Sequence, residues 1–238
     1  MTGAKQFLLA QAVSHHNIAN ISTIGFRADA VSFDSEPIYG PGYATRVNAV
    51  AGDAGTDFSP GTLEDTGRNL DIAVTGNGFI AVRGSDGQEA YTRAGDLRVS
   101  PAGAVTTASG LPVLTESGPL VIPPSTNVTI GSDGTVSVLP QGSAPLAVSQ
   151  VDRIKLVNPP TSTLQKGGDG LLRLKAGGKA KTDDTVTVTS GLLESSNVNP
   201  AESLIGMIEL QRMYEFQIKS INSADTNEQS AEKLMSTQ

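Results

Sequence analysis

The chain has 238 residues, enough for one or two domains with a buried core, and carries 17 basic against 24 acidic side chains, a net charge of −7. That balance, with no basic stripe, makes a poor nucleic-acid binder, because phosphate affinity rests on Lys and Arg. The lack of cysteine excludes disulfides and thiolate metal sites, and abundant Gly and Pro without Trp suit short strands and turns better than a large α/β enzyme core.

Residues 3–21 read as a helix. Leu8, Leu9, Ala12, Val13, His16 and Ala19 share one face at helical spacing, with Thr2 as N-cap and Gly25 just past the end. The apolar run Phe7–Ala10 is too short for the core of a secretory signal. No stretch approaches the ~18 apolar residues of a membrane span, so no membrane insertion is expected.

Residues 26–69 change character. Pro37, Gly40, Pro41, Gly42, Gly52, Gly55, Pro60 and Gly61 punctuate scattered apolar residues without a helical period. The segment reads as an extended arm with short strands, too long for a structureless loop inside a compact domain.

Residues 70–195 read as a β-rich domain. Leu70, Ile72 and Val74 alternate with small or polar residues, and Phe79–Val82 follows a Gly-Asn-Gly turn. Ser85-Asp86-Gly87 and Ser132-Asp133-Gly134 each read as a hairpin turn between apolar runs. The remainder, 196–238, holds a second helix from about residue 200 to 235, with Asn199 as N-cap, Pro200 in the first turn and Glu202 at its acidic start. A seam through Leu204, Met207, Gln211, Tyr214, Ile218 and Ile221 alternates threes and fours, the coiled-coil period. The helix would span roughly 50 Å. The N-terminal helix is too short to cover it, so apolar surface is left for neighbours.

No catalytic, cofactor-binding or metal-ligating set is readable, and the chain is not expected to be an enzyme. His15 and His16 point about 100° apart on a helix with no Cys or third His to complete a site. Gly76-Asn77-Gly78-Phe79 lacks the Gly-Lys-Ser/Thr of a phosphate loop and opens a strand, which makes it a turn. Asp71, Glu89 and Asp96 could supply paired carboxylates, yet acidic residues near turns are commonplace, and no Ser lies in a nucleophile-elbow context.

Three segments carry a resemblance. Asn17-Ile18-Ala19-Asn20-Ile21-Ser22-Thr23-Ile24-Gly25-Phe26-Arg27 is similar to the N-terminal signature of flagellar rod and hook proteins, where an Asn-rich helix end runs into a Thr-x-Gly-Phe-Lys/Arg turn. Residues 71–82, followed by Tyr91-Thr92-Arg93-Ala94-Gly95-Asp96-Leu97 and Gly103, resemble the β-domain motif of that family. Residues 191–200 resemble its entry into the C-terminal helix. The chain therefore resembles the flagellar basal-body rod protein family. The proximal-rod members fit best, through Asn199–Glu202, Met207–Glu215 and Leu164–Arg173. A distal-rod subunit is the alternative, although distal-rod relatives carry a Thr/Val-Gln-Arg-Ala-Tyr string and end soon after it. His15 and His16 depart from the small polar residues or Asn usual there. The family also carries several residues before Ser/Thr-Gly-Ala, so Met1 aligns internally: either the true start lies upstream or the N-terminal helix is shortened.

The resemblance implies an α+β fold, with coiled-coil-like helices at 1–25 and 196–238 forming an inner tube around which the arm and β domain build an outer wall. It implies export through the flagellar type III apparatus without a cleavable signal. It further implies assembly in the periplasm, with itself and with proximal and distal rod subunits, into a helical rod that transmits torque. No cofactor or nucleic acid enters this picture. The expected subunit-interface residues are Leu8, Ala12, Asn17, Asn20, Gly25 and Phe26 at one end and Leu204, Met207, Gln211, Tyr214, Ile218 and Ile221 at the other. Without the resemblance, a secreted β-rich binding or adhesion module would remain, with an independently folded C-terminal helix and no stacking.

Overall fold

The computed structural model describes residues 2–37, 47–140 and 149–236. They divide into two compact units, one of Met1–Asn20, Asp29–Asp57 and Val198–Gln238, the other of Ile21–Ala28 and Phe58–Asn197.

In the first unit, helix α1 (Thr2–Ala19) packs against strands β1 (Asp29–Pro37) and β2 (Val47–Thr56) and against helix α2 (Pro200–Ser236). β1 and β2 pair antiparallel from Asp29 opposite Thr56 to Pro37 opposite Val47, with a bulge after Ala30. The sequence predicts an extended arm with short strands here; the structure has two strands of nine and ten residues bonded to each other. Consecutive antiparallel strands satisfy each other's backbone groups, which a lone arm leaves unpaired. Gly40, Pro41 and Gly42 of the expected arm lie outside the described residues. α2 begins as its sequence predicts: the Asn199 side-chain oxygen accepts from the N–H groups of Ala201 (3.1 Å) and Glu202 (3.4 Å), capping two orphan donors.

The second unit is antiparallel β throughout its named strands: β3 (Leu63–Asp65), β4 (Ile72–Thr75), β5 (Phe79–Arg83), β6 (Glu89–Thr92), β7 (Leu97–Val99), β8 (Val105–Thr107), β9 (Ser125–Ile130), β10 (Thr135–Pro140), β11 (Ser149–Arg153), β12 (Leu156–Val157), β13 (Leu164–Lys166), β14 (Leu172–Leu174), β15 (Thr187–Ser190) and β16 (Leu192–Glu194). The largest sheet has the order β12-β5-β6-β14-β13, and β11-β10-β9 form a second; β15 pairs β4, β16 pairs β3 and β7 pairs β8. Side chains alternate across a strand, so β5 sends Ile80 and Val82 into one core and Phe79 and Ala81 into another. The larger core gathers Ile72, Leu97, Val113, Leu120, Val136 and Leu156 among others; the smaller adds Tyr91, Val157 and Leu172. A strand buried on both faces reads as a continuous apolar run, which is why Phe79-Ile80-Ala81-Val82 shows no polar alternation.

Three of the hairpin turns share one design. In Gly84–Gln88, Gly131–Thr135 and Gly167–Leu171 the first N–H donates to the fifth carbonyl, and the fourth residue, a glycine at φ +77, +85 or +78, donates back to the first carbonyl. The aspartate at the third place accepts the fifth N–H. The positive φ demands glycine, and the carboxylate makes a local turn that holds the reversal. Arg173 ties two of these turns together, bonding Asp169 at 2.7 Å and Asp86 at 3.1 Å.

Candidate assembly interface and the Glu194 clamp

The expected interface residues divide by environment. On α1 the covered side runs through Phe7, Ala10, Val13, Ser14 and Asn17, with Ala10 only 3% exposed, while Leu8, Leu9, Ala12 and Ala19 stay exposed. The face predicted from periodicity is thus largely the outward one. Apolar residues occur almost all round this helix, so spacing does not select the side that packs. Phe7 meets Phe33 of β1 with ring centroids 5.5 Å apart. On α2, Met207, Tyr214, Ile218 and Ile221 are half-buried as a row, but Leu204 and Gln211 are exposed, and the row passes instead through Ser203, Gly206 and Leu210. Ile205, Ile208, Met213 and Phe216 are also exposed, Phe216 to 74%. Every residue from Asn222 to Lys233 is exposed.

Asn17, Asn20, Gly25 and Phe26 have work within the chain. Asn17 clasps Asp29 with both amide atoms, donating to its carbonyl (2.8 Å) and accepting its N–H (2.9 Å), and so ties the end of α1 to the start of β1. His16 adds an Nδ1–Asp29 Oδ2 contact of 2.9 Å. Asn20 returns its side chain to the His16 carbonyl at 2.9 Å, closing the helix end. Gly25 adopts φ +67, and a Cβ there would collide with the Arg93 backbone. Its N–H donates to the Glu194 carbonyl (2.7 Å). Phe26 is buried beneath the Lys166 ammonium, 3.8 Å from its ring centre.

These contacts lead to one carboxylate. Glu194, at the end of β16, is 1% exposed. Its Oε1 accepts from Arg27 Nη2 (2.5 Å) and the Gly61 N–H (2.9 Å), and its Oε2 from Arg93 Nη1 (2.9 Å). Arg93 also donates to the carbonyls of Val74 and Gly76, and Lys166 Nζ to the Arg27 carbonyl (2.6 Å). Gly61 must be small, since a Cβ there would strike the Ser195 carbonyl. Asn197 reinforces the joint: its Oδ1 accepts the Ala28 N–H (2.8 Å) and its Nδ2 donates to the Ser59 carbonyl (3.1 Å). Segments 25–28, 59–61, 93 and 194–197 are buckled together, so all three signature segments meet here.

The electrostatics follow from burial and charge. Burial alone would raise the Glu194 carboxyl, but the Arg27 hydrogen bond and charge, Arg93 and the Gly61 N–H outweigh it and hold it below the usual carboxylate range. Burial pushes the Arg93 guanidinium down; Glu194 opposes this and the like charge of Arg27 adds to it.

Sequence reasoning missed this clamp. Arg27, Arg93 and Glu194 stand inside the three quoted motifs but 66 to 167 positions apart, and spacing that large carries no local pattern. The available signal was a charged residue embedded in each of three segments made mainly of small and apolar residues. Of the carboxylates weighed for catalysis, Asp71 and Asp96 face each other across an isolated antiparallel bridge, and Glu89 is engaged by other partners. Glu89 is bound by Lys155 Nζ at 2.7 and 2.9 Å and receives the Tyr91 hydroxyl at 3.0 Å. Asp71 is held by Arg68 and Thr66, and burial followed by the neighbouring Asp71 charge raises Asp96. Gly76 and Gly78 take φ +73 and +145 in the turn between β4 and β5. No described helix is long and apolar enough to cross a membrane.

Fold and clamp together define an α+β protein whose two ends share one unit and whose signature segments converge on a single buried carboxylate. The family model for the flagellar hook protein FlgE/F/G D1 domain matches residues 73–138, and that for the flagellar basal body rod FlgEFG protein C-terminal region matches residues 189–234. The chain is 41% identical over 242 residues to the flagellar basal-body rod protein FlgF of Salmonella typhimurium LT2, covering 99% of this chain and 96% of that protein. It is 40% identical, with the same coverage, to FlgF of Escherichia coli K12. With the rod protein FlgG of Buchnera aphidicola (Schizaphis graminum) the identity is 35% over 249 residues, covering 94% and 93%. The chain belongs to the flagellar basal-body rod protein family.

Proposed function

We propose that this chain is a structural, non-catalytic subunit of the flagellar basal-body rod, located in the basal body and assembled with copies of itself and with other rod proteins. The observation that carries this reading is near-full-length identity of 41% to a protein named for the rod. The higher identity to FlgF relatives than to the FlgG relative favours a proximal-rod position over a distal one. Export through the flagellar type III apparatus, without a cleavable signal, belongs to the same proposal and rests on family membership.

The mechanism is packing. Within the chain, Met207, Tyr214, Ile218 and Ile221 lie on the half-buried row of α2 and, on this reading, form a coiled-coil-like seam. Leu8, Ala12, Leu204 and Gln211, with Ile205, Ile208 and Phe216, are exposed and would pack on neighbouring subunits. Such contacts join different surfaces of successive copies, and a rotation that does not close yields a filament. Burying a large apolar side chain between subunits contributes about 1.5–3 kcal/mol, enough over several residues to stiffen a shaft that carries torque.

The test is Ile208→Asp with Phe216→Asp in the chromosomal copy. Non-motile cells with the rod stalled, while the purified variant melts like the parent, are expected. Normal rods in that strain would overturn the proposal.

A further inference from the structure

Asn77 is the one asparagine in the chain that is followed by glycine. It stands between β4 and β5, with Gly76 and Gly78 on either side at φ +73 and +145. Its side chain is exposed and, among the described residues, makes no hydrogen bond. The side chains of Asn17, Asn20, Asn69, Asn127, Asn197 and Asn199 all have partners. The Asp-Gly turns are likewise tied: Asp86, Asp133 and Asp169 each accept the backbone N–H two residues on.

An unbound asparagine amide beside glycine is open to attack by its own main chain, and asparagine is for that reason a thermolabile residue. The attacking atom here is the Gly78 nitrogen. It lies outside both ladders of β5, which begin at Phe79 and Ile80, and among the described residues its N–H donates to no other backbone carbonyl. Glycine lacks the Cβ that hinders approach to the side-chain carbon, whereas Asn17, Asn20, Asn69, Asn127 and Asn197 precede branched residues. Asn222 precedes Ser223 inside α2, where the next N–H is committed to the helix.

We infer that Asn77 is a site of spontaneous deamidation and isomerisation. The Gly78 N–H gives its proton to base, and the nitrogen bonds to Asn77 Cγ. The Cγ–Nδ2 bond breaks, and the leaving nitrogen takes protons from solvent and departs as ammonia. The product is a succinimide, which water reopens. Addition of water at the original backbone carbonyl leaves isoaspartate, and addition at the former side-chain carbonyl leaves aspartate.

The turn is anchored on both sides of this bond. The Gly76 carbonyl accepts from Arg93 Nη2 (2.5 Å), and the same guanidinium lies 5.4 Å from the Phe79 ring centre. Isoaspartate inserts a methylene into the main chain between these anchors, so the turn no longer fits Arg93 and the grip on Glu194 loosens. The inference concerns the chain itself and is independent of its place in any assembly.

The test ages the purified full chain in mildly alkaline and in mildly acidic buffer, folded and in urea, and maps it by peptide mass spectrometry. In the folded chain Asn77 is expected to show the amide-to-acid mass gain before any other asparagine, and faster at alkaline pH. Isoaspartate should be detected there by an isoaspartyl methyltransferase with a labelled methyl donor. The aged chain should melt at a lower temperature than the fresh one, while an Asn77→Gln chain aged alongside keeps its melting temperature. Asn77 left intact in the folded chain when the urea-unfolded chain has converted, or another asparagine converting first, overturns the site. Conversion at Asn77 without a fall in melting temperature overturns its tie to the clamp.

Discussion

Replacing Glu194 with Gln keeps the shape of the side chain and removes the charge on which two buried guanidiniums close. Breaking a buried pair from one side leaves the other charge exposed to a poor solvent, at a cost of about 3–5 kcal/mol. Urea denaturation of the purified Glu194→Gln chain should show a loss of that order, and a loss below about 1 kcal/mol would deny the clamp its stabilising role. The pH dependence has a definite sign. The folded Glu194 titrates below its ordinary value, so its contribution is complete above about pH 4.3 and is lost as pH falls through the folded value. Acid titration of the melting temperature should therefore be steeper below about pH 4 in the parent than in the Gln variant. At the other extreme, burial pushes Tyr91 up to about 12. Its neutral form belongs to the fold, so stability should fall as pH rises from about 10 toward 12, read by tyrosinate absorbance appearing together with unfolding.

At the scale of elements, turns and caps follow local chemistry while helix faces do not. Asn199 caps α2 through contacts two and three residues away, and Asn199→Ala should cost about 1 kcal/mol, measured by the same denaturation. The repeated turns were readable at Asp86-Gly87 and Asp133-Gly134 because a carboxylate next to a glycine predicts the reversal; Asp169-Gly170 follows the same rule. Of the six residues of the expected α2 seam, Met207, Tyr214, Ile218 and Ile221 are half-buried and Leu204 and Gln211 are exposed. The neighbour that α1 supplies covers one side of a wide apolar face, which shifts the packed row to Ser203, Gly206 and Leu210. The arm shows the same limit: its Gly and Pro residues mark breaks, but the pairing of Asp29 with Thr56 is a long-range choice.

For the molecule as a whole, the chain leaves unit one for unit two at residues 21–28, returns for residues 29–57, crosses again to unit two at residue 58 and re-enters unit one at residue 198. The clamp closes inside the second unit, so deletion of residues 200–238 should leave that unit folded. Its tyrosine near-UV signal and solubility should persist in the truncated chain while rods fail to form; collapse of that signal would show that the β body depends on α2. In dilute monomer, amides of residues 222–233, which are exposed throughout, should exchange far faster than those of β5 and β6. Equal protection would mean that α2 is stable without neighbours.

Composition, periodicity and three short motifs were sufficient for the α+β class, the two terminal helices, the hairpin turns and the rod family, because each rests on residues close together in the chain. They reached the clamp residues without joining them. Arg27, Arg93 and Glu194 come together only when the β body folds, and burial then turns three ordinary surface-type charges into a joint whose strength depends on the absence of water. Which face of each helix is covered was likewise settled by the neighbours it meets. Local chemistry is written in adjacent residues; charge pairing and choice of face depend on what burial brings within a few ångströms.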